Sequence, residues 1–226
     1  MTEHTTLPRR LPAGVGMIAT VAAVMLVASA YDQTAGILIL LPGLALLVAG
    51  LRYRRTSPLG YLAVVLGAGV AAVGFVLPLM NPLPTQLILE LYAGMLGLGL
   101  YALGIGAVRR GMERRFVTAG VAVVFAGILI TGVFRGTATS GMLAATVACV
   151  VAWDAGEQSI SLGEHVGTKS DAWSAGLTHV GATAIVGIGA VAVTVGVDSL
   201  SVSGLPLSAL LTLLLAALLS LAALYH

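Results

Sequence analysis

Polar, charged and turn-forming positions cut the chain into eight long apolar runs. The first covers residues 11–30 and closes at Tyr31-Asp32-Gln33; the second, 34–51, stops at Arg52-Tyr53-Arg54-Arg55. The third, 59–80, ends in the turn Asn81-Pro82-Leu83-Pro84, and the fourth, 87–108, ends in the basic stretch from Arg109 to Arg115. The fifth covers 116–134, the sixth about 137–151, the seventh about 177–197 and the eighth 205–225. A helix needs roughly 20 apolar residues to cross a bilayer. The pattern therefore predicts an all-α, polytopic membrane bundle of about eight transmembrane helices.

Composition narrows the class further. Hydrophobic residues make up 58% of the 226 positions and charged residues 9%, against about 25% charged in a soluble domain. Mean hydropathy is +1.04. Eight spans leave only short loops, so residues 1–226 are expected to form a single integral membrane domain with an N-terminal tail at 1–10. The lone cysteine, Cys149, lies in an apolar run and reads as a small core hydrophobe.

Charge sets the expected orientation. With the N-terminus in the cytoplasm, Arg9, Arg10, Arg52, Arg54, Arg55, Arg109, Arg110, Arg114, Arg115 and Lys169 all fall inside, and only Arg135 falls outside. That bias predicts two cytoplasmic termini and a multi-pass protein of the cell membrane. The formal net charge of +2 is not gathered on one face, so no nucleic-acid partner is expected. Arg9-Arg10 followed by an apolar stretch and Ala28-Ser29-Ala30 also has the form of a cleavable signal peptide. The stretch exceeds the usual h-region of about 7–15 residues, which favours an uncleaved span.

Small residues four apart form candidate packing ridges: Ala63, Gly67 and Ala71; Thr118, Ala122 and Ala126; Ser208, Thr212, Ala216 and Ser220. Such ridges let helices approach closely in lipid. The chain reads as four consecutive hairpins, and residues 62–66 resemble 121–125, a match that this composition produces by chance.

Few residues have chemistry to offer inside the apolar runs. Glu90 sits about one turn from the outer end of the fourth run, where an ionisable group is a proton or cation site, a snorkelling side chain or half of an ion pair. Arg135, the one outer cation, is its expected partner. A polar segment follows the sixth run, and Asp154, Glu157, Gln158, Ser161, Glu164 and His165 fall within a sector of about 120° on a helix. The sixth helix is therefore expected to continue past the bilayer as an amphipathic cytoplasmic extension over about 154–168. Trp153 and Trp173 occupy interfacial positions, and His179 enters the seventh run at the depth where Asp154 leaves the sixth, so the two are expected to meet. The spacing matches no HExxH, di-iron or phosphate-loop motif, and no catalytic residue, metal or cofactor is expected.

The stretch 153–167 together with Thr178-His179-Val180-Gly181 resembles an uncharacterised haloarchaeal multi-spanning membrane family. The resemblance implies genes lying beside MoxR-type AAA+ ATPases and an accessory role in a membrane-associated assembly. Two functions follow from the residues. The first is a non-enzymatic scaffold with a protein partner at the acidic stripe. The second is a small transporter or channel using Glu90 or the Asp154–His179 pair. Pro42 could interrupt the second span, but no charge lies at any span's centre, which favours the scaffold.

Overall fold

The computed structural model describes residues 10–28, 31–54, 57–80, 84–106, 111–135, 139–166 and 173–199. These hold seven helices and no strand: α1 (Arg10–Val27), α2 (Tyr31–Tyr53), α3 (Pro58–Val76), α4 (Thr85–Ile105), α5 (Glu113–Arg135), α6 (Thr139–Val166) and α7 (Trp173–Ser199). A 3₁₀ turn at Leu77–Met80 extends α3. Met1–Val191 form one compact unit and Ala192–His226 a second, in which only the last turns of α7 are described. The eighth run, 205–225, lies outside the described residues.

Among the described residues five helices are long and apolar enough to cross a membrane: Thr34–Tyr53, Pro58–Met80, Thr85–Ile105, Glu113–Phe134 and Thr178–Gly196. The apolar part of α1, Leu11–Val27, is shorter, and α6 is apolar only in its first half. Many large apolar side chains of α3 and α7, among them Leu59, Val65, Ile185 and Val186, face away from the protein. In water this would be a liability; in lipid it is the ordinary outer surface of a bundle.

Several boundaries differ from the sequence pattern. α1 stops at Val27, and Tyr31, Asp32 and Gln33 begin α2 rather than closing the first run. An acidic residue in a first turn is a favourable position against the helix dipole. Pro42 does not interrupt the second helix, which continues through it. The stretch before the fifth run is also partly helical: α5 starts at Glu113, so Arg114 and Arg115 lie in its first turn. Gly111, with φ of 78°, turns the chain just before it, a backbone conformation that suits glycine. Ser57 caps α3 by accepting a hydrogen bond from the Leu59 amide, with Pro58 in the first turn.

Helix pairing follows glycines at a spacing of seven. On α2 these are Gly36, Gly43 and Gly50; on α3, Gly60, Gly67 and Gly74. A Cβ on Gly74 would stand 2.8 Å from the Leu40 amide nitrogen, and one on Gly50 would stand 2.5 Å from that of Val64. These two backbones touch along their whole length. α4 and α5 repeat the arrangement through Gly97 against Gly120 and Gly104 against Val117, with Gly127 beside Ala93. A shift of 54 residues carries Gly43 and Gly50 onto Gly97 and Gly104, and one of 53 carries Gly67 and Gly74 onto Gly120 and Gly127. The chain thus contains a repeated hairpin, in a register other than the 62–66 and 121–125 match. α6 packs extensively against α1. The tight pairs are therefore α2 with α3, α4 with α5 and α1 with α6, so the hairpins are offset by one helix from a pairing of first with second, third with fourth and fifth with sixth.

Three buried hydroxyls are satisfied within their own helices. Thr20, Thr131 and Ser159 return their hydroxyls to the carbonyls of Gly16, Gly127 and Gly156, the usual solution for a hydroxyl on an apolar helix. Tyr92 donates to the Phe75 carbonyl at 2.7 Å, and the two rings stack with centroids 6.2 Å apart. Cys149 is buried in the main core.

Candidate functional site

The polar residues of α5, α6 and α7 form two clusters at the Arg-rich end of the bundle. α6 continues unbroken to Val166, so one helix carries both. Its successive polar residues diverge: Asp154 faces α7, whereas Glu157, Ser161 and Glu164 face the first turn of α5.

Arg114 organises the first cluster. Its Nε lies 3.2 Å from Glu157 Oε2 and its Nη2 lies 3.2 Å from Glu164 Oε2. Nη2 also donates to Ser161 Oγ at 3.2 Å. One guanidinium thus spans two turns of α6, a geometry that its planar fork of donors permits and a lysine could not copy. The arrangement depends on α5 starting at Glu113, because only a helical Arg114 holds this register. Glu157 is the better covered carboxylate, with 24% of its side chain exposed against 50% for Glu164. Burial raises its pKa; the positive charge of Arg114 opposes that rise, and the charge of Glu164 adds to it. The acidic stripe of α6 is therefore packed against the first turn of α5. Ser159 and Ile160, beside it, are buried.

Asp154 holds the second cluster. Its Oδ1 lies 3.1 Å from His179 Nε2, and its Oδ2 accepts from the Thr183 hydroxyl at 2.8 Å. The Thr183 hydroxyl also lies 3.3 Å from the His179 carbonyl oxygen. His179 and Thr183 are one turn apart on α7, so a single carboxylate grips consecutive turns of that helix. The order of contacts matters chemically. A nucleophilic triad needs a hydroxyl on the imidazole and the imidazole on the carboxylate. Here the hydroxyl and the imidazole both address the carboxylate, an arrangement that fastens α7 to α6.

Glu90 stands apart from both clusters, near the opposite end of α4. It is 5% exposed and does not snorkel outward. It lines a cavity of about 10 Å³ together with Val24, Val27, Ile37, Leu91 and Val124, at the lower limit for one water molecule. A Cβ on Gly127 would stand 3.6 Å from the Glu90 carbonyl oxygen, which sets Glu90 level with Gly127. Arg135 lies eight residues farther along α5, about 12 Å at 1.5 Å per residue. Its side chain, like those of His165 and Trp173, lies outside the described residues, and so does the proposed Glu90–Arg135 contact.

The sequence pattern did not single out Tyr101 and Arg52. Tyr101 is fully buried, and its hydroxyl donates to the Ala152 carbonyl at 2.9 Å, joining α4 to α6. Arg52 Nη2 donates to the Ile105 carbonyl at 2.8 Å, joining the last turns of α2 and α4. A tyrosine in an apolar run and an arginine in a basic loop carry no signal that distinguishes them. Among the described residues, no group of three or more His, Cys, Asp or Glu side chains could hold a metal ion.

Among the described residues every regular element is a helix and five are long and apolar enough to cross a membrane, the features of a membrane protein by class. The chain belongs to a family of unknown function, DUF7519, which it matches over residues 83–221. That match includes α4 to α7 and therefore both polar clusters. No curated protein matches the chain. No solved structure matches it either.

Proposed function

We propose that this chain is a non-enzymatic accessory or scaffold subunit of a membrane-associated complex, presenting the Arg114–Glu157–Glu164 corner to a protein partner. The observation that carries the reading is the commitment of the polar side chains of α6 to neighbouring helices. Arg114 and Asp154 hold α5, α6 and α7 in fixed register, which makes a rigid polar platform at the end of an otherwise apolar bundle. Arg114 and Glu164 each remain half exposed, leaving charge of both signs at the tip for a complementary surface.

The positive-inside bias supports eight spans, two cytoplasmic termini and a platform facing the cytoplasm of the cell membrane. The resemblance to haloarchaeal chains encoded near MoxR-type AAA+ ATPases makes a cytoplasmic ATPase of that kind the first partner to test. A photo-crosslinking residue at Ser161 or Glu164 is expected to yield a discrete protein adduct in cells, whereas one at the lipid-facing Val65 yields none. Equal labelling from all three positions would contradict the reading.

A second reading is favoured by one observation, the burial of Glu90 against a water-sized cavity. In this reading the chain is a small transporter or channel, with Glu90 or the Asp154–His179 pair as its proton or cation site. Liposomes holding the purified chain would then show a flux that Glu90→Gln or Asp154→Asn abolishes.

A further inference from the structure

The inner ends of α1 and α2 border an open apolar groove of about 530 Å³, lined by Ala13, Gly14 and Met17 from α1 and by Leu41, Ala45 and Val48 from α2. Ile105 of α4 and Arg52 also line it, at the Arg-rich end. The volume is within the range of about 300–1,000 Å³ typical of ligand pockets. A second groove of about 330 Å³ lies on the α3 side of α2, with Leu59 and Ala63 among its lining residues. The two grooves share Ala49 and Tyr53, so they flank the same last turns of α2.

We propose that this pair of grooves is a binding site for an anionic, two-chained membrane lipid. One chain would lie in each groove, and the headgroup would sit at Arg52. The apolar walls specify a hydrocarbon chain, and two grooves parting around one helix specify two chains. The charge specifies the headgroup: the Arg52 guanidinium is held in place by its hydrogen bond to the Ile105 carbonyl. Arg54 follows Arg52 by two residues at the same end of α2. Basic residues at the cytoplasmic membrane surface attract anionic headgroups. Small residues make the room: Ala13, Gly14, Ala45 and Ala49 leave a trough where larger side chains would close the seam. The inference rests on the membrane reading and the inward-facing arginines, and is independent of the scaffold role.

Native mass spectrometry of the protein in nanodiscs of equimolar phosphatidylcholine and phosphatidylglycerol tests it. The wild-type chain is expected to retain one phosphatidylglycerol in preference to phosphatidylcholine. Arg52→Gln should reduce that preference about five-fold, as expected for removal of one basic residue near the surface, and Arg52→Lys should keep most of it. Ala45→Phe, which fills the trough and leaves Arg52 in place, should lose the retained lipid whatever its headgroup. Retention without headgroup preference, or Arg52→Gln retaining phosphatidylglycerol as well as wild type, would overturn the proposal. So would a disulfide joining cysteines at Ala45 and within 205–225, or at Ala45 of two copies, because protein would then fill the trough. Crosslinking from Ser161 tests the scaffold reading separately.

Discussion

The hydroxyl of Tyr101 donates to the carbonyl oxygen of Ala152 directly beside Gly16 and Gly156. A Cβ on Gly16 would collide with that hydroxyl, and one on Gly156 would stand 3.0 Å from it. Three helices, α1, α4 and α6, therefore converge on one oxygen atom, and the glycines are the space it occupies. Gly16→Ala is expected to lower the thermal midpoint in detergent by more than Tyr101→Phe, whose loss of one interhelical hydrogen bond costs about 0.6–2 kcal/mol. The double variant should recover part of the Gly16→Ala deficit, because removing the hydroxyl makes room for the methyl group. Additive losses would show that the two sites are not in contact.

The glycine seam of α2 and α3 predicts a sharp contrast between neighbouring positions. Gly67→Leu puts a side chain against the Leu47 backbone, whereas the space around Gly69 is open. Gly67→Leu should abolish a monodisperse peak in size-exclusion chromatography, and Gly69→Leu should leave it unchanged. A similar response at both positions would remove the close helix approach from the account.

The Arg114 corner predicts a pH-dependent defect. Burial already holds the pKa of Glu157 above the ordinary glutamate range, with Arg114 opposing the rise. Removing Arg114 lifts it further. A carboxyl whose folded pKa exceeds its unfolded value contributes stability that is fully present below the unfolded pKa and is lost as pH rises through the folded pKa. The deficit of Arg114→Gln should therefore be largest at neutral pH and shrink as pH falls toward the ordinary glutamate range. Its size is modest, of the order of 1 kcal/mol or less, because the pairs are half exposed. Thermal midpoints of both proteins across that pH range provide the measurement, and a deficit that grows on acidification would contradict the assignment.

Asp154 is expected to control how firmly α7 sits on α6. A Cβ on Gly187 would meet the Val147 side chain, so cysteines at Val147 and Gly187, with Cys149→Ala to clear the background, should form a disulfide readily. Asp154→Ala removes the anchor of both His179 and Thr183 and should slow that disulfide several-fold. Unchanged formation would assign the attachment of α7 to apolar contacts alone.

Legibility in the sequence was uneven for physical reasons. Apolar runs and charged interruptions reveal where helices lie, because the bilayer imposes length and exclusion of charge on each one. The helical phase of 154–165 likewise marked the polar face of α6, and the matching depths of Asp154 and His179 placed them together. Pairing between helices left a subtler trace. Glycines at a spacing of seven were present throughout, but 29 glycines supply many spacings, and only backbone contact distinguishes Gly67 from Gly69. Arg114 was hidden for another reason: a basic residue between two spans reads as a loop until the helix start at Glu113 is known. Tyr101 and Arg52 depend on distant carbonyl partners, Ala152 and Ile105, which no local pattern announces.

The functional account depends on the Arg-rich end facing the cytoplasm, since both the platform and the lipid site are placed there. Cysteine-accessibility labelling in intact cells tests this directly, with single cysteines at Ser57, Glu164 and Ser201 in a Cys149→Ala background. The account predicts that a membrane-impermeant reagent labels Ser201→Cys from outside, while Ser57→Cys and Glu164→Cys label only after the membrane is opened. Labelling of Ser57→Cys and Glu164→Cys in intact cells, with Ser201→Cys protected, would contradict it.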